Sequence, residues 1–83
     1  MTQVLLSDKA RRDLRKMDEK PALIFAKHID KISGLPPRRH LKHGLPYNVD
    51  EVGGRRLVYE YKEGILYIIR CFTDHRDYEK WFE

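Results

Sequence analysis

The chain has 83 residues, the length of one small domain, and a domain of this size buries only about 60% of the surface of its unfolded chain. Its 17 lysines and arginines exceed its 13 aspartates and glutamates, and the net charge of +4 favours a nucleic acid or an acidic protein as partner. A single cysteine excludes a disulfide framework, and the lack of a bilayer-spanning apolar run or a signal peptide predicts a cytoplasmic protein without membrane contact.

After a short strand at residues 2–6, apolar residues at helical spacing predict two helices. Ser7 is a suitable N-cap for a first helix over residues 8–17, and Pro21 suits the first position of a second helix that ends at Ser33 and Gly34. The apolar stripes are Ala10, Leu14 and Met17 in the first helix, and Ala22, Phe25, Ile29 and Ile32 in the second. The basic face of the first helix is interpreted as solvated, with a surface that faces RNA or the ribosome as the alternative.

The segment over residues 36–46 concentrates positive charge and has no acidic residue. Its cationic and imidazole side chains are Arg38, Arg39, His40, Lys42 and His43. A solvated linker would have this composition, but the histidines beside the cations favour a phosphate-binding edge, for which we select Arg39 and Lys42. His40 and His43 have no further ligand near them in the sequence, so we predict no metal site, and we predict no cofactor.

A strand over residues 45–52 and a β-hairpin after Gly53 and Gly54 complete the predicted sheet, with the N-terminal strand at one edge. Alternation along the hairpin places Leu57 and Tyr59 on the core face and Arg56 on the opposite face. The two helices are expected to cover the core face. The other face is expected to stay open and to present Arg56, Arg70, Asn48 and Asp50.

The register of the hairpin decides which side chains meet across it. A three-residue turn at residues 62–64 pairs Tyr61 with Ile65, and Arg56 then faces Arg70. A two-residue turn would shift the register by one and separate the two arginines, and we predict the first register. Two facing arginines repel each other unless an anion lies between them, so the pair indicates an anion site, with two solvated arginines as the alternative.

The C-terminal residues predict one short helical element, which Thr73 and Asp74 cap. Its aromatic residues, at i, i+3 and i+4, are Tyr78, Trp81 and Phe82. We expect them to pack the last turn onto the domain, with stacking of a nucleobase on Tyr78 as the alternative. His75 and Arg76 lie where the last strand ends and the polar face begins.

Short motifs along nearly the whole chain occur in one known family. They are Leu41-Lys42-His43-Gly44, Tyr47, Gly54-Arg55-Arg56-Leu57-Val58-Tyr59 and Thr73-Asp74-His75-Arg76-Asp77-Tyr78. With these motifs in this order, the sequence resembles the RelE/ParE superfamily of toxins from type II toxin–antitoxin systems. The resemblance implies one RelE-like α+β domain over residues 1–83. In it, a helical hairpin covers one face of an antiparallel three- to four-stranded sheet, and a short C-terminal helix follows.

The same resemblance implies an activity and a partner. RelE-like members are toxins that cleave mRNA, usually at the ribosome and without a metal ion. The ParE branch, which inhibits DNA gyrase without nuclease activity, is the alternative, and an inactive relative kept for antitoxin binding is a third interpretation. Each of these implies a cognate antitoxin and an oligomer formed with it.

Individual residues match positions that carry function in the family. Arg56 matches its phosphate-binding arginine, His75 a histidine that transfers a proton, and Tyr78 the tyrosine after it. His43 matches a histidine that some members use before the second strand. The further candidates for binding substrate are Arg70, Arg76, Lys42 and Arg39. Imidazole exchanges protons near neutral pH and guanidinium binds phosphate oxygens in pairs, so these side chains suit metal-free RNA cleavage.

One departure from the family pattern concerns the second strand. The family's lysines on the open face of that strand are expected where this chain has Asn48 and Asp50. A lysine-based mechanism therefore loses its residues, and the histidine-based version, with His75 and His43, is favoured. Asp50 is a candidate for orienting a histidine instead.

Overall fold

The computed structural model describes residues 3–34 and 47–82, and these form a four-stranded sheet and three helices. The elements in chain order are β1 (Gln3–Leu6), α1 (Asp8–Lys16), α2 (Glu19–Ser33), β2 (Asn48–Val52), β3 (Arg55–Lys62), β4 (Ile65–Phe72) and α3 (His75–Phe82). The strands lie in the order β1-β4-β3-β2, with β1 parallel to β4 and the other neighbours antiparallel. The predicted α+β class, with the N-terminal strand at the sheet edge, is confirmed, and the parallel β1 makes the sheet mixed rather than wholly antiparallel. None of the described helices has the length and apolar character needed to cross a membrane.

Hydrogen bonds at the ends of α1 and α2 explain where these helices begin and stop. The hydroxyl oxygen of Ser7 accepts from the Ala10 N–H at 3.0 Å and donates to the Ile69 carbonyl at 2.7 Å, so the predicted N-cap also ties α1 to β4. Helix α2 begins at Glu19, which places Pro21 inside its first turn rather than at its first position. Its end at Gly34 is confirmed.

The main core lies between the two N-terminal helices and one face of the sheet. Its buried side chains are Ala10, Phe25, Ile29, Ile32, Leu57, Tyr59, Leu66, Ile68 and Cys71. The predicted helix stripes supply the first four, since residues at i, i+3 and i+4 share one side of a helix. The alternation predicted for β3 supplies Leu57 and Tyr59. The core thus forms where the apolar stripes of the two helices meet the apolar face of the sheet.

The opposite face of the sheet is covered in part by α3, contrary to the prediction that it stays open. Buried side chains there are Val49, Val58, Phe72 and Tyr78, with Tyr47, Ile69 and Trp81 packed against them. Tyr78 and Trp81 lie one turn apart on α3, and both rings contact Phe72, at centroid distances of 5.9 and 5.6 Å. For Tyr78 and Trp81, the interpretation that the aromatics pack the last helix onto the domain is therefore confirmed, and for Phe82 it stays a prediction.

Asn48 and Asp50 do not lie on the face predicted for them. Asn48 pairs with Tyr59 and Asp50 with Leu57, so both side chains share the helix-covered face with these core residues. Asn48 is buried, and Asp50 accepts a hydrogen bond from the Tyr59 hydroxyl at 3.1 Å. The comparison of these two residues with open-face lysines was therefore wrong. On β2, the face toward α3 carries Val49 and, by alternation, Glu51.

The predicted hairpin register is also wrong, for two local reasons. The turn has two residues, Glu63 and Gly64, with φ of 52° and 78°, as in the type I′ turns that match strand twist. A bulge beside Val58 and Tyr59 then admits one extra residue in β4. As a result Arg56 pairs with Phe72, not with Arg70.

The bulge also reverses the alternation along β4. Ile68 and Cys71, three positions apart, both face the helices, while Ile69 and Phe72 face α3. Arg70, which lies between Ile69 and Cys71 in the sequence, pairs with Val58, and its side chain donates a hydrogen bond to Asp13 of α1. A bulge adds one residue outside the two-residue repeat of a strand, so the alternation of side chains in the sequence does not reveal its position.

One carboxylate, that of Asp13 in α1, closes the edge of the sheet where β1 has ended. β1 pairs with β4 only as far as Ile68, and further along β4 Asp13 accepts a hydrogen bond from the Cys71 amide at 3.0 Å. It also accepts from Arg70 Nε at 2.8 Å and Nη2 at 3.0 Å. This bidentate hydrogen bonding raises the pKa of Arg70. Burial, with the nearby Asp13 charge, raises the pKa of the Cys71 thiol to about 12, so the thiol is neutral.

Replacement of Asp13 by Ala should destabilise the fold by about 2–3 kcal/mol, because it leaves the Arg70 guanidinium and the Cys71 amide without their acceptor. The value lies below that of a fully buried pair, because 21% of the Arg70 side chain and 15% of the Asp13 side chain remain exposed. Urea unfolding measures the loss in the free energy of unfolding, and its slope with urea concentration, the m-value, should stay unchanged.

A matched control is Asp30→Ala, which removes an exposed carboxylate from α2. It should change the free energy of unfolding by less than about 0.5 kcal/mol. Labelling of the buried Cys71 thiol gives an independent readout, since it should react only when the protein unfolds. Equal stability of the two variants would show that Asp13 does not hold the edge.

Candidate functional site

Three of the residues selected from the sequence, Arg56, His75 and Tyr78, come together where β3 and α3 meet. Arg56 Nη2 lies 3.4 Å from His75 Nδ1, and the Arg56 guanidinium carbon lies 5.9 Å from the centroid of the Tyr78 ring. The His75 and Tyr78 rings are 6.3 Å apart. A cation, an imidazole and a phenol therefore share one corner of the sheet, although they are up to 22 positions apart in the sequence (78 − 56).

This meeting follows from the register and from the cap of α3. Arg56 pairs with Phe72, the last residue of β4, so the helix that starts at His75 begins directly beside it. The Asp74 carboxylate accepts from the Arg76 N–H at 2.8 Å, as an N-cap does, which confirms the predicted cap. Tyr78, one turn further, is buried against Phe72 and forms the floor of the corner.

Two carboxylates that sequence reasoning missed complete the cluster. Glu51 Oε1 lies 3.6 Å from Arg56 Nη1, and Glu79 Oε1 lies 2.6 Å from His75 Nε2. The second pair was readable from the sequence, since residues at i and i+4 are neighbours on a helix. The first pair depends on the pairing of Glu51 with Arg56 between β2 and β3, which requires the correct strand register.

The contacts of His75 fit one of its two neutral tautomers. A guanidinium only donates, so Nδ1, which faces Arg56, accepts, and the Nε2–H donates to Glu79. Only 15% of the Arg56 side chain is exposed, against 54% for His75. The corner therefore offers a cation that packing holds in place, next to an accessible imidazole whose Nδ1 lone pair points toward that cation.

The other selected cations have different surroundings. Arg70 bonds to Asp13 and lies over the Phe72 ring, with its guanidinium carbon 4.6 Å from the ring centroid. Arg76 is exposed at the start of α3. His43, Lys42 and Arg39 lie outside the described residues, so the roles selected for them stay predictions.

A second group of polar side chains lies on the helix-covered face. His28 Nε2 is 2.9 Å from Asp50 Oδ2, and the other Asp50 oxygen accepts from Tyr59. The histidine that Asp50 orients is therefore His28, not His75. Within residues 3–34 and 47–82, no group of three or more His, Cys, Asp or Glu side chains is arranged to hold a metal ion.

The sheet order, the helix pair on one face and the terminal helix on the other define a RelE-like α+β fold. A chain of the solved toxin–antitoxin complex RelBE2 from Mycobacterium tuberculosis has the same fold, with a TM-score of 0.61. The two chains are 22% identical, and the alignment covers 86% of this chain and 95% of that one. No protein-family model matches the sequence, and neither does any curated protein. The likeness in structure thus confirms the fold that the motifs implied.

Truncation of Arg56 should remove the cation of the corner and leave the fold intact. Arg56→Ala should lower the free energy of unfolding by about 1 kcal/mol, the size of partly exposed ion pairs and cation–π contacts. The neighbouring Leu57 is fully buried, and Leu57→Ala should cost roughly 2–5 kcal/mol. Denaturant unfolding of both variants compares the two values. A larger loss for Arg56→Ala than for Leu57→Ala would mean that Arg56 is a structural residue.

Proposed function

We propose that this protein is the toxin of a type II toxin–antitoxin system and that it cleaves mRNA, at the ribosome, as a metal-free endoribonuclease. The observation that carries the proposal is the 3.4 Å contact between Arg56 Nη2 and His75 Nδ1, which brings a phosphate-binding group and a proton-transfer group together. The RelE-like fold supports it, because the fold neighbour belongs to a toxin–antitoxin complex.

The reaction requires few parts. The ribose 2′-oxygen attacks the adjacent phosphorus and loses its proton to a base, while the bond from phosphorus to the 5′-oxygen breaks and an acid protonates that oxygen. The products are a 2′,3′-cyclic phosphate and a free 5′-hydroxyl, so no water or metal ion enters this step. The crowded phosphorane carries extra negative charge, which a fixed cation stabilises.

The residues of the corner suit these parts. Arg56 is held by packing and by Glu51, and its planar group would bind two phosphate oxygens in the place that the carboxylate now occupies. His75 Nδ1 then faces the bound phosphate with a lone pair, while Glu79 holds the opposite nitrogen. Glu51, released from Arg56, is a second proton acceptor within the described residues. His43 keeps its proposed role as the complementary histidine.

A cognate antitoxin is the proposed protein partner. A free nuclease site would cut cellular mRNA, and an acidic or amphipathic antitoxin segment suits a chain with a net charge of +4 and would block that site. Co-expression with the adjacent small reading frame should raise yield and give a complex that co-purifies. A protein that is harmless alone and binds no neighbouring product would contradict the toxin assignment.

Primer extension on a translated mRNA tests the activity. The wild-type protein should produce discrete cuts, and Arg56→Ala should abolish them because the transition-state charge loses its cation. Intact mRNA together with DNA breaks would instead indicate inhibition of gyrase. Parallel reactions on free and ribosome-bound mRNA show whether cleavage requires the ribosome.

His75→Gln should slow cleavage about 10²–10⁴-fold while binding of RNA and antitoxin persists, because the amide has similar reach but exchanges no proton near neutral pH. The pH dependence of cleavage should change with it. His28→Gln is the matched control, since His28 bonds to Asp50 on the other face of the sheet, and it should cut at the normal rate. Normal cleavage by His75→Gln would show that the site works through arginine electrostatics alone.

A further inference from the structure

A cleft of about 450 Å³ lies between α3 and the last turn of α1, and nothing in the proposed chemistry uses it. Its floor includes Phe72, and one wall carries Lys80 and Trp81 of α3 while the other carries Lys16 of α1. At about 100° per residue, Lys80 and Trp81 lie on the side of α3 that faces away from His75. The cleft is therefore a separate recess on the far flank of the same helix.

Arg70 enters this cleft in a fixed orientation. Asp13 takes its Nε and Nη2 donors, and the guanidinium lies over the Phe72 ring at 4.6 Å. Among the described residues no acceptor bonds to Arg70 Nη1, so that edge of the group is available to a ligand. A guanidinium whose position is set in advance loses little entropy when it binds an anion.

The remaining charges of the cleft leave it cationic. Asp13 is neutralised by Arg70, and Lys16 and Lys80, both exposed, face one other carboxylate, that of Asp77. Beside them the half-buried ring of Trp81 lines the recess. Cations next to an aromatic ring are the combination by which proteins hold single-stranded nucleic acid, through phosphate contacts and stacked bases.

A chain of aromatic contacts links the cleft to the corner at Arg56. Arg70 lies over the ring of Phe72, Phe72 contacts Tyr78 at 5.9 Å, and Tyr78 lies under Arg56 at 5.9 Å. Two guanidinium groups are thus separated by two aromatic rings. The volume is near the lower limit of small-ligand sites, roughly 300–1,000 Å³, which suits one nucleotide.

We propose that the cleft formed by Lys16, Arg70, Lys80 and Trp81 binds a nucleotide of the same single-stranded RNA, on the side of α3 away from the cleaved bond. Its phosphate contacts Arg70 Nη1 and the two lysines, and its base lies against Trp81. The inference rests on the proposed function, since it assumes that RNA is the substrate at Arg56. It adds a binding subsite that takes no part in proton transfer.

The single tryptophan of the chain allows a direct test, because Trp81 is the only indole in the protein. A single-stranded 2′-O-methyl oligoribonucleotide is the probe, since its blocked hydroxyl prevents cleavage. Titration should quench Trp81 fluorescence to saturation. Lys16→Ala/Lys80→Ala should weaken binding roughly tenfold, and the slope of log K against log salt should fall by about 0.7 for each phosphate that no longer pairs with a lysine.

Lys31→Ala/Lys62→Ala is the matched control, because it removes two exposed lysines from α2 and from the far end of β3. It should retain the quenching and nearly the full affinity. Equal losses of affinity in the two double variants, or RNA binding without a change at Trp81, would overturn the cleft assignment. Quenching by the antitoxin but not by RNA would assign the cleft to the protein partner and also overturn it.

The two proposals fail in different ways. Discrete mRNA cuts without quenching that depends on Lys16 and Lys80 would leave the nuclease in place and reject the cleft. Saturable, lysine-dependent quenching without mRNA cuts would retain an RNA-binding cleft and reject the nuclease. Absence of any RNA-dependent change at Trp81 counts against the cleft in every case.

Discussion

The carboxylate of Asp13 is the contact on which the described structure depends most. It replaces β1 at the edge of β4 by accepting the Cys71 amide, and it draws Arg70 out of the sheet by two further hydrogen bonds. The last residues of β4 are thereby held against α1, and α3 and the corner at Arg56 follow directly from that end of the strand. One side chain of a helix thus sets the position of a site that it does not touch.

Two arginines of one hairpin receive different environments from this arrangement. Arg70 is paired with a largely buried carboxylate, so its charge is balanced and its orientation fixed. Within residues 3–34 and 47–82, the one ion pair of Arg56 is a longer contact with the exposed Glu51, which an anion can displace at little cost. Arg70, whose charge is neutralised, can still bind a ligand through its remaining N–H donors. Arg56, whose charge is incompletely paired, is suited to stabilise negative charge that develops in a reaction. The aromatic rings of Phe72 and Tyr78 keep the two apart.

Local signals predicted the parts of the fold that depend on neighbouring residues. Ser7 caps α1 through its own hydroxyl, and the apolar stripe of α2 appears in the core. Alternation placed Leu57 in the core and Arg56 opposite it, and the residues that resemble the RelE family lie close together at Arg56 and His75. The predicted hairpin register was wrong, because the turn has two residues instead of three and a bulge then adds one residue to β4.

The sequence by itself determined the elements, their order and the apolar faces of the helices and of β3, since helical and strand periods, caps and turns act over a few positions. Three residues of the corner, Arg56, His75 and Tyr78, were identified from the resemblance to a known family. Tertiary structure alone decided which face Asn48 and Asp50 occupy, that Arg70 bonds to Asp13, and that Glu51 reaches Arg56. Each of these depends on the pairing of segments distant in the chain. A shift of one residue moves every side chain of a strand to the opposite face, and only the packed sheet selects one register.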